Sequence, residues 1–439
     1  MSAMDRGMGA ALGFVRRLGG LDLLDRLGIR ESVERVVFNA TKNGFQAAGA
    51  ASRNFAKAAQ SLPTAKRQSP RTPAPLFDLT PEDEQQMLQE AFRAFVDEQV
   101  RPAALAADAA SASPDEVLAT SRELGTMMLG VPAELGGVVD ERSSITSVLA
   151  MEALAHGDMG IATAAFAPAG VATALALWGD AGQQGRYLPS LLGEDPPAAA
   201  VAVHEHRPLF DPFDLRTTAR RSGGGYVLNG TKSMVPLVAS AELLLVAARL
   251  EGTGPALFLV ESGTPGVRVE LEPTMGVRAA ATGHLHLEAV NVGDDALLAE
   301  GDPAVYAEAI HRARLAWCAM AVGTGQAVLD YVIPYVNERH AFGEPISHRQ
   351  AVAFTVSDIA IELEGMRLTT LRAASLADQG KPFGEATAIA RQLCATKGMA
   401  IGSHGVQLLG GHGYVKEHPV ERWYRDLRGA GLVEGGLVA

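Results

Sequence analysis

Residues 407–439 read QLLGGHGYVKEHPVERWYRDLRGAGLVEGGLVA and end the chain. They contain the glycine pair Gly410 and Gly411, an Arg-Asp pair and one late acid, Glu434. Adjacent glycines let a backbone approach a ligand closely, because no Cβ stands in the way. A glutamate near a chain end is usually solvated and frayed. The stretch therefore leaves two alternatives for Glu434: an exposed tail residue, or a base carried into an active site.

The composition is that of a globular protein of 439 residues, with 47% hydrophobic and 20% charged residues. The 38 Lys and Arg against 50 Asp and Glu give a net charge of −12, which argues against nucleic acid as a main partner. The two cysteines, Cys318 and Cys394, form no CxxC motif, and this usage fits a reducing compartment. We therefore expect a cytoplasmic protein.

The segment 1–76 differs from the rest in charge and pattern. Its first 75 residues hold 12 Lys and Arg against 5 Asp and Glu, a net of +7. Apolar residues recur at helical spacing among the arginines, namely Phe14, Leu18, Leu21 and Leu24. Such a basic amphipathic segment either makes peripheral contact with the inner membrane surface, through residues 1–62, or packs on its own protein or a partner subunit. The Pro-rich stretch 64–75 is typical of a linker.

The remaining chain predicts three domains. We expect an N-terminal helical domain over 77–198, a central β domain over 199–300 and a C-terminal helical bundle over 301–439. Within the β domain, Asn229-Gly230 lies between apolar runs, which predicts a hairpin turn. The fold class is therefore α+β, with a small barrel or sandwich between a helical domain and a four-helix bundle.

Several motifs are missing from the sequence. It has no GxGxxG after a strand, no GxxxxGK[ST], no GxSxG and no HExxH. A nucleotide cofactor would therefore bind outside the Rossmann and P-loop modes, and no metal site is predicted.

From residue 77 to the end, the chain resembles the acyl-CoA dehydrogenases. RHAFGEPISHRQAVAF (339–354) is similar to the R-x-x-FG-x-x-I…Q segment of that family. The run from 407 to 426 resembles its Q-x-L-GG-x-G-Y…P-V-E-R-x-x-RD segment, and RDLRGAGLVEGG aligns with the segment that ends in the catalytic EG. The resemblance implies FAD-dependent α,β-dehydrogenation of an acyl-CoA thioester, a homo- or hetero-oligomer, and an electron transfer flavoprotein as acceptor.

By this resemblance Glu434 is the base that removes the α-proton, while Arg314 and Gly435 belong to the substrate site. A proton α to a thioester is a very weak acid, so hydrogen bonds must stabilise the developing enolate. Burial of the carboxylate in a dry pocket strengthens it as a base. Some members carry the base on the first long helix of the bundle, but here Ala313 occupies that position.

The resemblance also implies how FAD is shared between subunits. Arg339 and Phe342 would contact the diphosphate and adenine of a neighbouring subunit's FAD. Gln407, Gly410 and Gly411 would supply a backbone platform. A guanidinium binds diphosphate oxygens well, and glycines admit phosphate close to the backbone.

The flavin-facing stretches depart from the family pattern. Residues 204–211 read HEHRPLFD, whereas the flavin-binding stretch of the family is similar to TEPGAGSD. His204 therefore replaces a threonine. Met234 stands in place of a tryptophan, Pro236 in place of a hydroxyl residue, and Gly436 in place of a threonine. Three residues follow Gly436, so the usual final helix has no counterpart here.

Two functional alternatives follow from these departures. The chain is either a divergent dehydrogenase, whose FAD contacts include His204, Met234 and Gly436, or a flavin-poor subunit that completes the FAD site of a partner.

Overall fold

The computed structural model describes residues 81–139 and 141–439. The basic extension 1–76, with its proposed membrane contact through residues 1–62, lies outside the described residues. The described chain runs from a helical region through a mixed sheet to a helical bundle. The predicted α+β class is therefore confirmed.

The N-terminal region contains six α-helices among the described residues, with a π-helical turn, Val96–Val100, after the first. They are α1 (Asp83–Phe95), α2 (Arg101–Ala110), α3 (Asp115–Glu123), α4 (Ser144–Ala155), α5 (Met159–Trp178) and α6 (Ala181–Leu191). Asp158 caps α5 by accepting hydrogen bonds from the N–H groups of Gly160 and Ile161. The same carboxylate pairs with Nε of Arg422 at 2.9 Å, which ties α5 to the C-terminal region.

The C-terminal bundle is built on three long helices. They are α7 (Pro303–Glu338), α8 (Gln350–Asp378) and α9 (Gly384–Leu409). A two-residue ladder of β8 (His340–Ala341) and β9 (Glu344–Pro345) joins α7 to α8. Two short helices, α10 (Val420–Asp426) and α11 (Gly429–Leu432), follow α9 and lead to the tail.

Helices α5 and α7 are long and apolar enough to cross a membrane by length and composition alone. In each, however, most of the apolar window is buried within the protein, 83% for α5 and 72% for α7. Both therefore behave as core helices, and they carry many of the fully buried side chains, Trp317 and Phe166 among them.

The middle region forms one seven-stranded sheet among the described residues. Its strands are β1 (Ala199–Ala202), β2 (Thr218–Ser222), β3 (Gly225–Val235), β4 (Leu243–Leu250), β5 (Gly254–Glu261), β6 (Val267–Leu271) and β7 (Gly283–Gly293). The order is β1-β4-β2-β3-β7-β6, with β5 also paired to β4. One side of the sheet buries Leu228, Phe258 and Leu285 in a core of its own.

The predicted turn at Asn229-Gly230 is wrong. The β2–β3 hairpin turns at Gly223, whose φ of +63° is accessible to glycine, and Ser222 pairs with Gly225. Asn229 lies inside β3, where its side-chain oxygen accepts from the N–H of Ala289. The local Asn-Gly signal is overridden because β3 continues along β7 through a bulge.

Candidate functional site

Glu434 lies inside the protein. Helix α11 ends at Leu432, and every residue from 433 to 439 is buried. Glu434 itself is only 8% exposed. Its interpretation as an exposed tail residue is therefore wrong, because the tail turns inward between the bundle and the sheet.

Two arginines hold the Glu434 carboxylate. Arg314, on α7, donates from Nε to Oε2 at 2.9 Å and from Nη2 to Oε1 at 2.9 Å. Arg391, on α9, donates from Nη2 to Oε1 at 3.1 Å and to the carbonyl oxygen of Val433 at 2.9 Å. Burial lowers the pKa of Arg391, and the negative charge of Glu434 opposes that shift. The structure thus brings the predicted base and the predicted substrate residue Arg314 together.

The two carboxylate oxygens are used unequally. Oε1 of Glu434 accepts from both arginines, whereas Oε2 accepts only from Nε of Arg314 among the described residues. An ionised carboxylate has about four acceptor positions. Oε2 therefore retains a lone pair that can take a proton while the arginines keep the side chain in place.

The two glycines after Glu434 hold the tail against the sheet. Gly435 and Gly436 have φ values of +75° and +81°, a region that favours glycine. The carbonyl of Gly435 accepts from Nε1 of Trp317 at 2.8 Å. The N–H of Gly436 donates to the carbonyl of Val201 at 3.2 Å, an isolated antiparallel bridge to β1. A Cβ on Gly435 would lie 2.5 Å from Cβ of Val203, so this backbone approach requires a glycine.

His204 lies near the same tail. It is 9% exposed, and its ring packs edge-on against Phe210 with centroids 4.9 Å apart. Burial lowers the pKa of His204, while the negative charges of Glu434 and Glu272 oppose the shift. Its Nδ1 is buried and has no hydrogen-bond partner in the part of the chain that the structure describes. His204 is therefore an available polar group beside the site.

Met234 sits at a bulge of β3 and is half-buried. Its φ of +55° is uncommon for a residue with a side chain, and the β3–β7 register shifts between Lys232 and Val235. The bulge turns its N–H toward Glu272, which accepts that hydrogen bond at 3.0 Å.

The predicted diphosphate and adenine residues form a separate, exposed surface. We call it the platform: Arg339, Phe342, Gln407, Gly410 and Gly411, all of which are exposed. Phe342 is 95% exposed and has a φ of +57°. Arg339 caps the C-terminal end of α7, 25 positions beyond Arg314, which is about 37 Å along a helix. The structure therefore does not bring the platform and Glu434 into one site within a single chain.

Profiles of three domains match the chain in the order found in the structure. The acyl-CoA dehydrogenase N-terminal domain matches residues 82–195, the middle domain 200–290 and the C-terminal domain 304–436. The chain belongs to the acyl-CoA dehydrogenase family. These matches cover each of the three structural regions described above.

Known relatives agree with this assignment. The chain is 33% identical over 370 residues to the mitochondrial short/branched chain specific acyl-CoA dehydrogenase of Rattus norvegicus, covering 82% of this chain and 84% of the relative. It is 33% identical to benzylmalonyl-CoA dehydrogenase of Aromatoleum aromaticum, covering 82% and 96%. The solved structure of butyryl-CoA dehydrogenase from Megasphaera elsdenii superposes with a TM-score of 0.76 at 27% identity, covering 82% and 96%.

Membership of this family implies that FAD is bound. The residues of this chain fit the diphosphate and adenine side of that cofactor. A Cβ built on Gly410 or Gly411 meets nothing within 4 Å, so the platform backbone is open to a ligand. On the side where the resemblance places the isoalloxazine ring, a Cβ on Gly436 would lie 3.7 Å from Cδ of Pro236. The tail and the residue after β3 therefore pack directly together. The platform therefore fits a diphosphate and adenine, whereas Pro236 and Gly436 offer no side-chain hydrogen-bond donor to a flavin beside the tail.

Sequence reasoning missed Arg391, Trp317 and Glu272. Each contacts a predicted site residue from a distant segment, so no local spacing indicates it. The one available signal was the position of Arg391, the only charged residue in the largely apolar run AIARQLCA. A charge in such a run is usually paired when it is buried.

Proposed function

We propose that this chain serves in an FAD-dependent α,β-dehydrogenation of an acyl-CoA, with Glu434 as the base that removes the α-proton. The observation that carries the proposal is the buried Glu434 carboxylate, held by Arg314 and Arg391 next to the family's middle domain. By the same resemblance, the acceptor of the electrons is an electron transfer flavoprotein.

The residues of this chain perform three tasks in that reaction. Oε2 of Glu434 takes the α-proton, because it accepts one hydrogen bond and keeps a free lone pair. Two guanidinium groups face one carboxylate, so the cluster has an excess of positive charge that stabilises an enolate. Burial of the tail from 433 to 439 excludes water from this charge cluster, which strengthens the electrostatic stabilisation of the enolate.

A second candidate rests on the residues beside the tail that depart from the family pattern. Gly436 packs on Pro236, while the platform is exposed about 37 Å away along α7. That combination favours a subunit whose platform completes the FAD site of a partner chain, with little flavin of its own.

Two measurements on the purified full chain separate these candidates. The first is FAD per polypeptide, from the visible absorbance after growth with flavin in excess. The second is mass spectrometry of short and branched acyl-CoA thioesters, incubated with the protein, FAD and an electron acceptor, for products two hydrogens lighter.

About one FAD per chain with enoyl-CoA product supports a self-sufficient dehydrogenase. Little FAD, with product only after a second dehydrogenase-like chain is added, supports the partner subunit. A full complement of FAD without any product across the whole set of thioesters contradicts both candidates.

A further inference from the structure

A cluster of side chains outside the Glu434 site lies on the sheet of the middle region. It consists of His206, Glu272 and His284, whose donor atoms all lie within 4.8 Å of one another. Nδ1 of His206 and Nε2 of His284 each lie 3.7 Å from Oε1 of Glu272. Two imidazoles and one carboxylate thus converge on a common point.

The pairing of β6 with β7 places two of these residues side by side. Glu270 stands opposite His284 in the antiparallel register, and the N–H of Glu272 extends the pairing by donating to the carbonyl of Thr282 at 3.1 Å. Alternate residues of a strand share one face, so Glu272 and His284 are diagonal neighbours on the same face.

The third residue arrives from the segment after β1. The N–H of Ser233, in β3, donates to the carbonyl of His204 at 2.9 Å and so holds this segment on the sheet. His206 follows two residues later, and its ring packs edge-on against His284 with centroids 5.4 Å apart.

The distances suit a small divalent ion. Zinc binds histidine nitrogen and carboxylate oxygen at about 2.0–2.2 Å, and tetrahedral geometry then separates neighbouring ligand atoms by about 3.4 Å. The two observed separations of 3.7 Å exceed that value by a few tenths of an ångström. Two histidines and one glutamate, with a fourth position open, form an established zinc ligand set.

Glu272 is already oriented by neighbouring hydrogen bonds. The Ser233 hydroxyl donates to its two oxygens at 3.1 and 2.9 Å, and the Met234 N–H donates to Oε2 at 3.0 Å. Hydrogen bonds of this kind fix the ligating carboxylates of metal sites and tune their affinity. Oε1, the oxygen nearer both histidines, is therefore held toward the point where an ion would bind.

The cluster is also accessible. The side chains of Glu272 and His284 are 14% and 21% exposed, whereas that of His206 is 75% exposed. Two of the ligands are thus held in place on the sheet, and the exposed His206 can move onto an ion that arrives from solvent.

We propose that His206, Glu272 and His284 bind one divalent ion of the zinc class, with a fourth position open to water or a small ligand. The bound ion fastens segment 204–211 to β7 and to Glu272, the residue that follows β6. Segments 204–211 and 234–236 are the stretches that depart from the family pattern, and both meet at Glu272. A metal ion that links these two stretches gives a physical reason for that departure. This inference does not depend on the role of Glu434.

The test uses the full chain, stripped of metal by a chelator, and ZnCl2 as the probe. Isothermal titration and elemental analysis after dialysis should give about one Zn²⁺ per chain. His206→Ala and His284→Ala should each lower the affinity by at least about 100-fold, and Ser233→Ala by about 10-fold through loss of its hydrogen bonds to Glu272.

His340→Ala is the matched control, because His340 is an exposed histidine on a different part of the chain. It should bind Zn²⁺ as the unaltered protein does. His206 is largely exposed, so its loss should leave the circular dichroism and melting temperature of the metal-free protein unchanged. Absence of Zn²⁺ binding by the unaltered protein, or unchanged affinity in both histidine variants, would overturn the proposal.

Discussion

The two ends of helix α7 carry opposite kinds of site. In its N-terminal third, Arg314 binds a buried carboxylate, and the tail that carries this acid is bonded to Trp317 and to β1. At its C-terminal end, Arg339 and Phe342 are exposed. Residues of the first site have bonding partners within the chain, so we expect them to contribute to stability as well as to the proposed reaction. The positive φ of Phe342 belongs to the two-residue turn of the β8–β9 ladder, but its ring is 95% exposed, and we expect a ligand or a neighbouring chain to cover it.

The largest effect on stability should come from adding a side-chain atom at Gly435, next to the buried Glu434. Gly435→Ala places a Cβ 2.5 Å from Val203 at a φ of +75°, so overlap and backbone strain add. We expect a loss of at least about 3 kcal/mol in the free energy of unfolding. Urea unfolding followed by circular dichroism measures it.

Gly411→Ala is the control for that comparison. A Cβ on Gly411 meets nothing within 4 Å, and the free energy of unfolding should change by less than about 0.5 kcal/mol. Equal losses in the two variants would show that the buried and exposed ends do not differ as described.

Removal of an arginine should have a smaller effect, again at one end only. Arg314→Ala leaves Glu434 with Arg391 as its remaining cation, and we expect a loss of about 2 kcal/mol. Arg339→Ala, at the exposed end, should cost less than about 0.5 kcal/mol. Thermal melts of both variants at one pH test this contrast; similar losses would contradict it.

A separate buried acid, Asp426 on α10, should also show a characteristic pH dependence. Burial, and then the negative charge of Asp158, raise the pKa of Asp426 to about 8. The folded state therefore retains a proton that the unfolded chain has lost above about pH 4, and this contribution to stability disappears as the pH rises toward 8. Asp426 accepts from the N–H of Val277 at 2.6 Å, which Asn can also do.

Asp426→Asn should consequently flatten the curve of melting temperature against pH. Between pH 5 and pH 8 we expect the unaltered protein to lose at least about 2 °C more than the variant. Parallel curves for the two proteins would show that Asp426 does not hold the proton.

The smallest effect on stability, and the sharpest on assembly, should come from Phe342→Ala. The ring is 95% exposed, so the melting temperature of the isolated chain should stay within about 1 °C. If the platform serves a second chain or its cofactor, the same variant should lower retained FAD in the assembled protein. FAD quantification after gel filtration measures this, and unchanged retention would count against the platform.

The order of the regions could be predicted from the sequence, because strand and helix periodicity are local signals. Arg314 was assigned to the substrate site by the family resemblance alone, and its pairing with Glu434 was not predicted. Sequence reasoning did not reach Arg391 or the Glu272 cluster, since these contacts join segments far apart in the chain. The wrong turn at Asn229-Gly230 has a similar cause. A local turn preference lost to the long register between β3 and β7.

The role of Glu434 is tested most directly by the Glu434→Gln variant in the flavin-loaded, assembled enzyme. The rate of enoyl-CoA formation in a single turnover should fall by at least about 100-fold, because an amide cannot take the α-proton. Glu385→Gln, which alters an exposed acid on α9, should leave the rate unchanged. Equal rates for Glu434→Gln and the unaltered enzyme would contradict the assignment of Glu434 as the base.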